Sequence, residues 1–204
     1  MYGFSGTVVG VVCRDGIALA SDSRGVGYYM ILSKRVKKIF QLEEKIGAAI
    51  SGSTGDVQSF VNLLRAEARL YRIHNERSMS TKGIAQMASN ILHERRIFPY
   101  ILEAIIAGID GEKPVLYFLD PVGGKLEERE FAAGGTGASV AYGTLEKEFK
   151  PGISVEEGAK LAASAIKTAI ERDAATGDSV VVAVIDGRGY RELSEKEIAD
   201  LLKQ

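Results

Sequence analysis

TVVGVVCRDGIALASD, residues 7–22, reads as two short strands joined by a tight turn. Thr7 to Val12 is β-branched and apolar, the composition of a strand. Arg14-Asp15-Gly16 supplies turn residues, with Gly16 free to take a positive φ. Ile17 to Ala20 forms the returning strand, and Asp22-Ser23-Arg24 places charge where it ends. Downstream, Lys37-Lys38 leads into a further apolar run, Ile39-Phe40. An acid at one strand's end and a lysine at another's beginning can meet across a sheet. Such a pair, Asp22 with Lys38, faces the start of the first strand, near Gly6-Thr7.

A chain of 204 residues is long enough to bury a substantial core. Its 26 basic and 27 acidic residues leave a net charge of −1, which gives no field for nucleic acid or an acidic membrane. The single cysteine, Cys13, rules out an internal disulfide and fits a reducing, cytoplasmic setting. No apolar run approaches the roughly 20 residues of a membrane span. Met1–Ser5 lacks the basic and apolar regions of a secretory signal. These five residues read as a short retained leader, and residues 6–204 as one domain, with no repeat or linker dividing them.

Beyond the opening hairpin, Gly25–Ser33 reads as a loop rich in Gly and Tyr. Lys38–Leu42 and Ile46–Ile50 read as strands around Glu43-Glu44-Lys45. Val57, Phe60, Val61, Leu64, Ala68 and Tyr71 recur at helical spacing, predicting a helix to about His74. A second helix follows Ser80, with Ile84, Met87, Ala88, Ile91 and Leu92 on one face. Tyr100–Ile109, Val115–Leu119 and Leu126–Ala132 predict three strands. Ala138–Phe149 predicts a short helix. Ser154 with Glu157 is a capping box for a helix to about Asp173. Val180–Ile185 reads as a strand buried on both faces, and Ser194 with Glu197 caps a final helix. Strands in runs and helices in adjacent pairs predict an α+β architecture, two antiparallel sheets sandwiched between helix pairs.

Five blocks in order resemble a proteasome β subunit of archaeal type: TVVGVVCRDGIALASDSR, SKRVKKIFQ, AAISGSTGDVQ, GGTGASVAYGTLE and AIERDAATGDSV. The resemblance covers Thr7 to about Val184. It implies the four-layer αββα sandwich of the N-terminal-nucleophile hydrolases. It also implies a threonine-type endopeptidase that degrades unfolded proteins inside a barrel. Expected partners are α subunits and other β subunits in seven-membered rings, with a regulatory ATPase acting through the α rings. No cofactor and no metal is implied, and neither nucleic acid nor membrane is an expected partner.

In that family an N-terminal threonine attacks the peptide carbonyl, with its own α-amine, pKa about 8, as base. A lysine lowers the hydroxyl's pKa, an acid holds the lysine, and a backbone N–H at a Gly-rich turn stabilises the oxyanion. Carried over, the acid is Asp22 and the lysine is Lys38. The oxyanion donor is the Gly52 N–H. The supporting hydroxyls are Thr136 and Thr176, with Asp173 between them. Gly25, Val36, Ile50 and Thr54 are expected to wall the substrate pocket, and Ile50 at its floor suits an apolar side chain.

Counting back from Gly10 and Asp22 places the nucleophile position at Gly6, which has no hydroxyl. As written, the chain can neither attack a substrate nor release its leader. Either threonine was replaced here to trap an inactive, unprocessed form, or the subunit is naturally silent and structural. The complete set Asp22, Lys38, Thr136, Asp173 and Thr176 favours the first. A one-residue slip that makes Thr7 the alternative nucleophile would flip every side chain of the strand to the other face.

Without the resemblance, Lys38 reads as a solvated strand-end lysine, and Asp22 with Arg24 as a surface pair. Gly134–Gly137 before a helix resembles a phosphate cradle but lacks the Walker lysine. His74 and His93 lie on separate predicted helices without further ligands. Cys13 reads as buried filler. Unused helix faces such as Ala85–Ile97 are candidates for subunit contacts.

Overall fold

The structure, a computed structural model, describes residues 6–203. The leader expected at Met1–Ser5 lies outside these residues. The elements in chain order are β1 (Thr7–Cys13), β2 (Gly16–Asp22), β3 (Gly25–Gly27), β4 (Met30–Ser33), β5 (Ile39–Glu43), β6 (Ile46–Gly52), α1 (Thr54–Asn75), α2 (Thr81–Glu94), β7 (Leu102–Asp110), β8 (Lys113–Leu119), β9 (Lys125–Glu128), β10 (Phe131–Gly135), α3 (Ala138–Glu148), α4 (Val155–Arg172), β11 (Val180–Asp186), β12 (Gly189–Glu192) and α5 (Glu195–Lys203).

Two five-stranded antiparallel sheets form the centre, in the orders β10-β1-β2-β11-β12 and β5-β6-β7-β8-β9. They pack face to face through Val8, Ile17, Leu19, Ile39, Ile105, Leu116 and Ile185, all buried. The outer face of the first sheet is covered by α3, α4 and α5, through Leu145, Leu161, Ile166 and Ile198 among others. The outer face of the second is covered by α1 and α2, through Phe60, Leu64, Ile84 and Leu92. The result is a four-layer α+β sandwich. Each apolar stripe anticipated from helical spacing buries against a sheet, because a helix with one apolar face has no other stable resting place.

The hairpin of residues 7–22 forms with Cys13 opposite Gly16. Gly16 does not adopt a positive φ. Glycine is required there because a Cβ would sit 2.4 Å from the Ile185 carbonyl oxygen of the neighbouring strand.

The expected strand 126–132 is two strands in different sheets. β9 pairs with β8 at an edge, and β10 pairs with β1. The pattern changes at the bend: β9 is largely exposed, whereas Phe131 to Gly134 is wholly buried. Gly25–Ser33, expected as a loop, is a two-stranded ribbon of β3 and β4. A further short edge strand, β12, was hidden by its polar residues. On α2, Ala85, Ala88 and Leu92 are core residues, and Gln86, Asn90 and Glu94 on the other face are exposed and polar. The exposed apolar surface is instead concentrated on Tyr28, Tyr29, Met30 and Leu32 of the ribbon and on Ile97 and Phe98 after α2.

Candidate active site

The ends of five elements meet at one edge of the sandwich. Gly6 precedes β1, Asp22 ends β2, Lys38 precedes β5, Gly52 ends β6, and Gly135 ends β10. The Asp22 side chain is fully buried and Lys38 is 3% exposed. The Lys38 ammonium stands 3.0 Å from Asp22 Oδ1. It donates to the Arg24 carbonyl at 2.6 Å and to the Asp22 carbonyl at 3.4 Å. Burial holds the Lys38 amine below the ordinary lysine range, and the Asp22 carboxylate opposes that shift.

Asp22 is held in turn by three backbone N–H donors. Thr7 donates to Oδ1 at 2.8 Å, and Arg24 and Gly177 donate to Oδ2 at 2.9 and 3.0 Å. Satisfied in this way, a buried carboxylate costs far less than a bare one. The pair faces Gly6. A Cβ built on Gly6 would lie 2.3 Å from Asp22 Oδ1 and 2.5 Å from Lys38 Nζ.

The Gly6 carbonyl accepts from the Thr136 N–H at 3.0 Å and from the Ser51 hydroxyl at 3.1 Å. Thr136 and Thr176 both donate their hydroxyls to Asp173 Oδ2, the second at 2.5 Å. Thr7, next along β1, points the other way and is fully buried. Its Oγ1 accepts from the Gly137 N–H at 3.2 Å and lies 2.7 Å from Thr176 Oγ1. With Thr176 donating to Asp173, the Thr7 hydroxyl donates to Thr176. It is therefore committed to a relay on the face away from Lys38.

Gly52, the expected oxyanion donor, has φ +153°, and a Cβ there would stand 2.2 Å from the Ile101 carbonyl oxygen. Only glycine lets β6 end this close to the neighbouring backbone. The adjoining cavity, about 420 Å³, is lined by Gly25, Val36, Ile50 and Thr54, the four expected pocket residues, together with Phe40, Val57 and Lys38. Ile50 is fully buried.

The sequence reading missed part of the support. Arg24 Nε donates to Asp178 Oδ2 at 3.0 Å, and an Arg24 terminal nitrogen donates to the Ala174 carbonyl at 3.0 Å. These contacts pin the loop that carries the Gly177 donor. The block AIERDAATGDSV contained Gly177 and Asp178, but no local pattern reveals a partner 154 residues away. Among the described residues no cluster of three or more His, Cys, Asp or Glu could hold a metal ion, and no helix is long and apolar enough to cross a membrane.

The family model described as "Proteasome subunit" matches residues 4–185. The chain is 48% identical over 197 residues to "Proteasome subunit beta 1" of Thermococcus onnurineus, covering 97% of this chain and 96% of the relative. It is 41% identical over 192 residues to "Proteasome subunit beta" of Methanosarcina mazei, covering 94% and 91%. It is 39% identical over 196 residues to the protein of that name from Archaeoglobus fulgidus, covering 96% and 92%. A matching model over most of the chain, relatives this similar along nearly their whole length and the four-layer sandwich converge: the chain belongs to the proteasome subunit family, as a β-type subunit of the 20S core.

Proposed function

We propose that this chain takes a β-subunit place in a cytoplasmic 20S-type barrel, beside α subunits and other β subunits, and that its own site is silent. The family is one of threonine peptidases. There a hydroxyl at position 6 would sit against the Lys38 ammonium, which would favour its alkoxide, while the Gly52 N–H would meet the developing oxyanion. Asp22 would hold Lys38, and Thr136, Asp173 and Thr176 would steady the strand end. The cavity under Ile50 would take an apolar substrate side chain. The observation that carries the reading is at Gly6: the Lys38–Asp22 pair converges on a residue without a hydroxyl. Gly6 is also preceded by Ser5 in the sequence, so its nitrogen is an amide and not a basic amine. Nucleophile and base are lost together.

Thr7 is the second reading, and its geometry weighs against it. Its hydroxyl is buried and engaged with Thr176 and Gly137. Unfolded proteins delivered through the α rings by a regulatory ATPase would then be cut by active β neighbours. The test is co-expression with α subunits, with and without a β subunit bearing a threonine at the nucleophile position. We expect incorporation into barrels in both cases, and cleavage of fluorogenic peptides only when the second β type is present. Peptide turnover by barrels containing this chain as their sole β type would overturn the silent reading. Failure to enter any barrel would overturn the assignment to a ring.

A further inference from the structure

Position 6 is not merely short of a hydroxyl. Gly6 has φ +81°, a backbone conformation that L side chains rarely adopt. The direction its Cβ would take is already filled, by Asp22 Oδ1 at 2.3 Å, Lys38 Nζ at 2.5 Å and Lys38 Cε at 2.6 Å. A lysine tip is flexible, but this one is bonded to the Arg24 carbonyl and paired with Asp22. Asp22 has nowhere to go. Its two oxygens bind the start of β1 through Thr7, the end of β2 through Arg24 and the loop before β11 through Gly177. On the other side, Thr136 and Ser51 clamp the Gly6 carbonyl.

We propose that Gly6 is a structural residue of this chain, and that the Lys38–Asp22 pair serves as a keystone seated directly on its Cα. The seat is closed to any L side chain, so the missing nucleophile is not restored by one substitution. The pair also has a reason to persist in a subunit that performs no chemistry. It joins three stretches of backbone at the edge of the first sheet and ties the entry to β5 onto them. Completeness of the set around position 6 is therefore no sign that threonine was recently there. This inference deepens the silent reading and rests on position 6 being the nucleophile position.

Thermal unfolding of the full chain tests the seat without any partner subunit. Gly6→Ala and Gly6→Thr should each melt several degrees below the parent. The Gly6→Ala loss should shrink in a Lys38→Ala background, where the ammonium and Cε no longer occupy the seat. A Gly6→Ala protein that melts at or above the parent temperature would overturn the proposal, and so would a loss undiminished by Lys38→Ala. If Gly6→Thr does not fold, the seat is closed, and the alanine cycle still reads the role of Lys38. In barrels assembled with α subunits, Gly6→Thr as sole β type should cleave no peptide. Efficient cleavage would show an open seat. A parent chain that never enters barrels would instead refute the ring assignment and leave the melting result standing.

Discussion

Three backbone N–H groups and one ammonium converge on the Asp22 carboxylate, and this sets the energetic weight of Lys38. A buried pair contributes little net stability over an apolar substitute, but removing one partner strands the other charge. Lys38→Met should therefore cost about 3–5 kcal/mol in urea unfolding. Exposed pairs set the contrast: Lys203 with Asp200, both largely in solvent, should contribute under about 1 kcal/mol. Cys13 gives a second residue-scale prediction. Burial, with Asp15 adding to it, pushes its thiol up to about 12. The native chain should resist alkylation at pH 8 while the urea-unfolded chain reacts fully, a difference that intact mass reads directly. Asp22 and Lys38 were singled out through the family resemblance, since charge at a strand end by itself reads as solvated surface. The donors that hold Asp22 were not, since a backbone N–H has no signature in sequence.

The capping boxes were legible as short local patterns, and both formed. At α5 the Ser194 N–H and hydroxyl donate to Glu197 Oε2 at 2.8 and 2.7 Å, and the Glu197 N–H returns to Ser194 Oγ at 3.3 Å. The hydrogen bonds from Ser194 and the Arg191 guanidinium lower the Glu197 carboxyl from 4.5 to about 2. Because the folded value lies below the ordinary one, the cap's contribution is complete above about 4.5 and is lost as pH falls towards 2. Protection of the α5 amides, taken relative to their intrinsic exchange rates at each pH, should fall through that window, and Glu197→Gln should flatten the pH dependence. A second element-scale test sits where α4 meets β1. A Cβ on Gly158 would stand 2.3 Å from Cys13 Sγ. Gly158→Ala should cost about 1–3 kcal/mol by overpacking despite alanine's better helix propensity, with recovery in a Cys13→Ala background. Elements with strong period were read correctly. The break between β9 and β10 was not, because an edge strand and a buried strand abut with only Arg129-Glu130 between them. The ribbon was missed because β4 is exposed along its whole length, so burial left no alternation in it, and β3 is only three residues long, two of them glycine.

At the scale of the whole molecule, the candidate site exists because two sheets are held in register at one edge. Gly6, Asp22 and Gly135 come from the first sheet, and Lys38 and Gly52 from the second. Nothing covalent joins them, so the distance from Lys38 to Asp22 is set by the packing between the sheets. That layer is close-fitting: Leu116 reaches within 2.7 Å of where a Cβ on Gly10 would stand, so β1 lies low over β8. Leu19, fully buried, stands on β2 with its side chain in this layer. Leu19→Ala should cost about 2–5 kcal/mol, with a cavity between the sheets in place of the lost side chain. For a domain of this size that lowers Tm by roughly 2–4 °C per kcal/mol. The loss should also be felt at the far end of the strand. If the inter-sheet layer sets the Lys38–Asp22 distance, Leu19→Ala should speed amide exchange at Thr7 and Gly177, the donors to Asp22, along with the strand centres. A similar truncation on the outer layer, Leu202→Ala in α5, should leave those two amides protected. Equal exchange at Thr7 in both variants would mean that the site's geometry is held locally and owes nothing to the layer between the sheets.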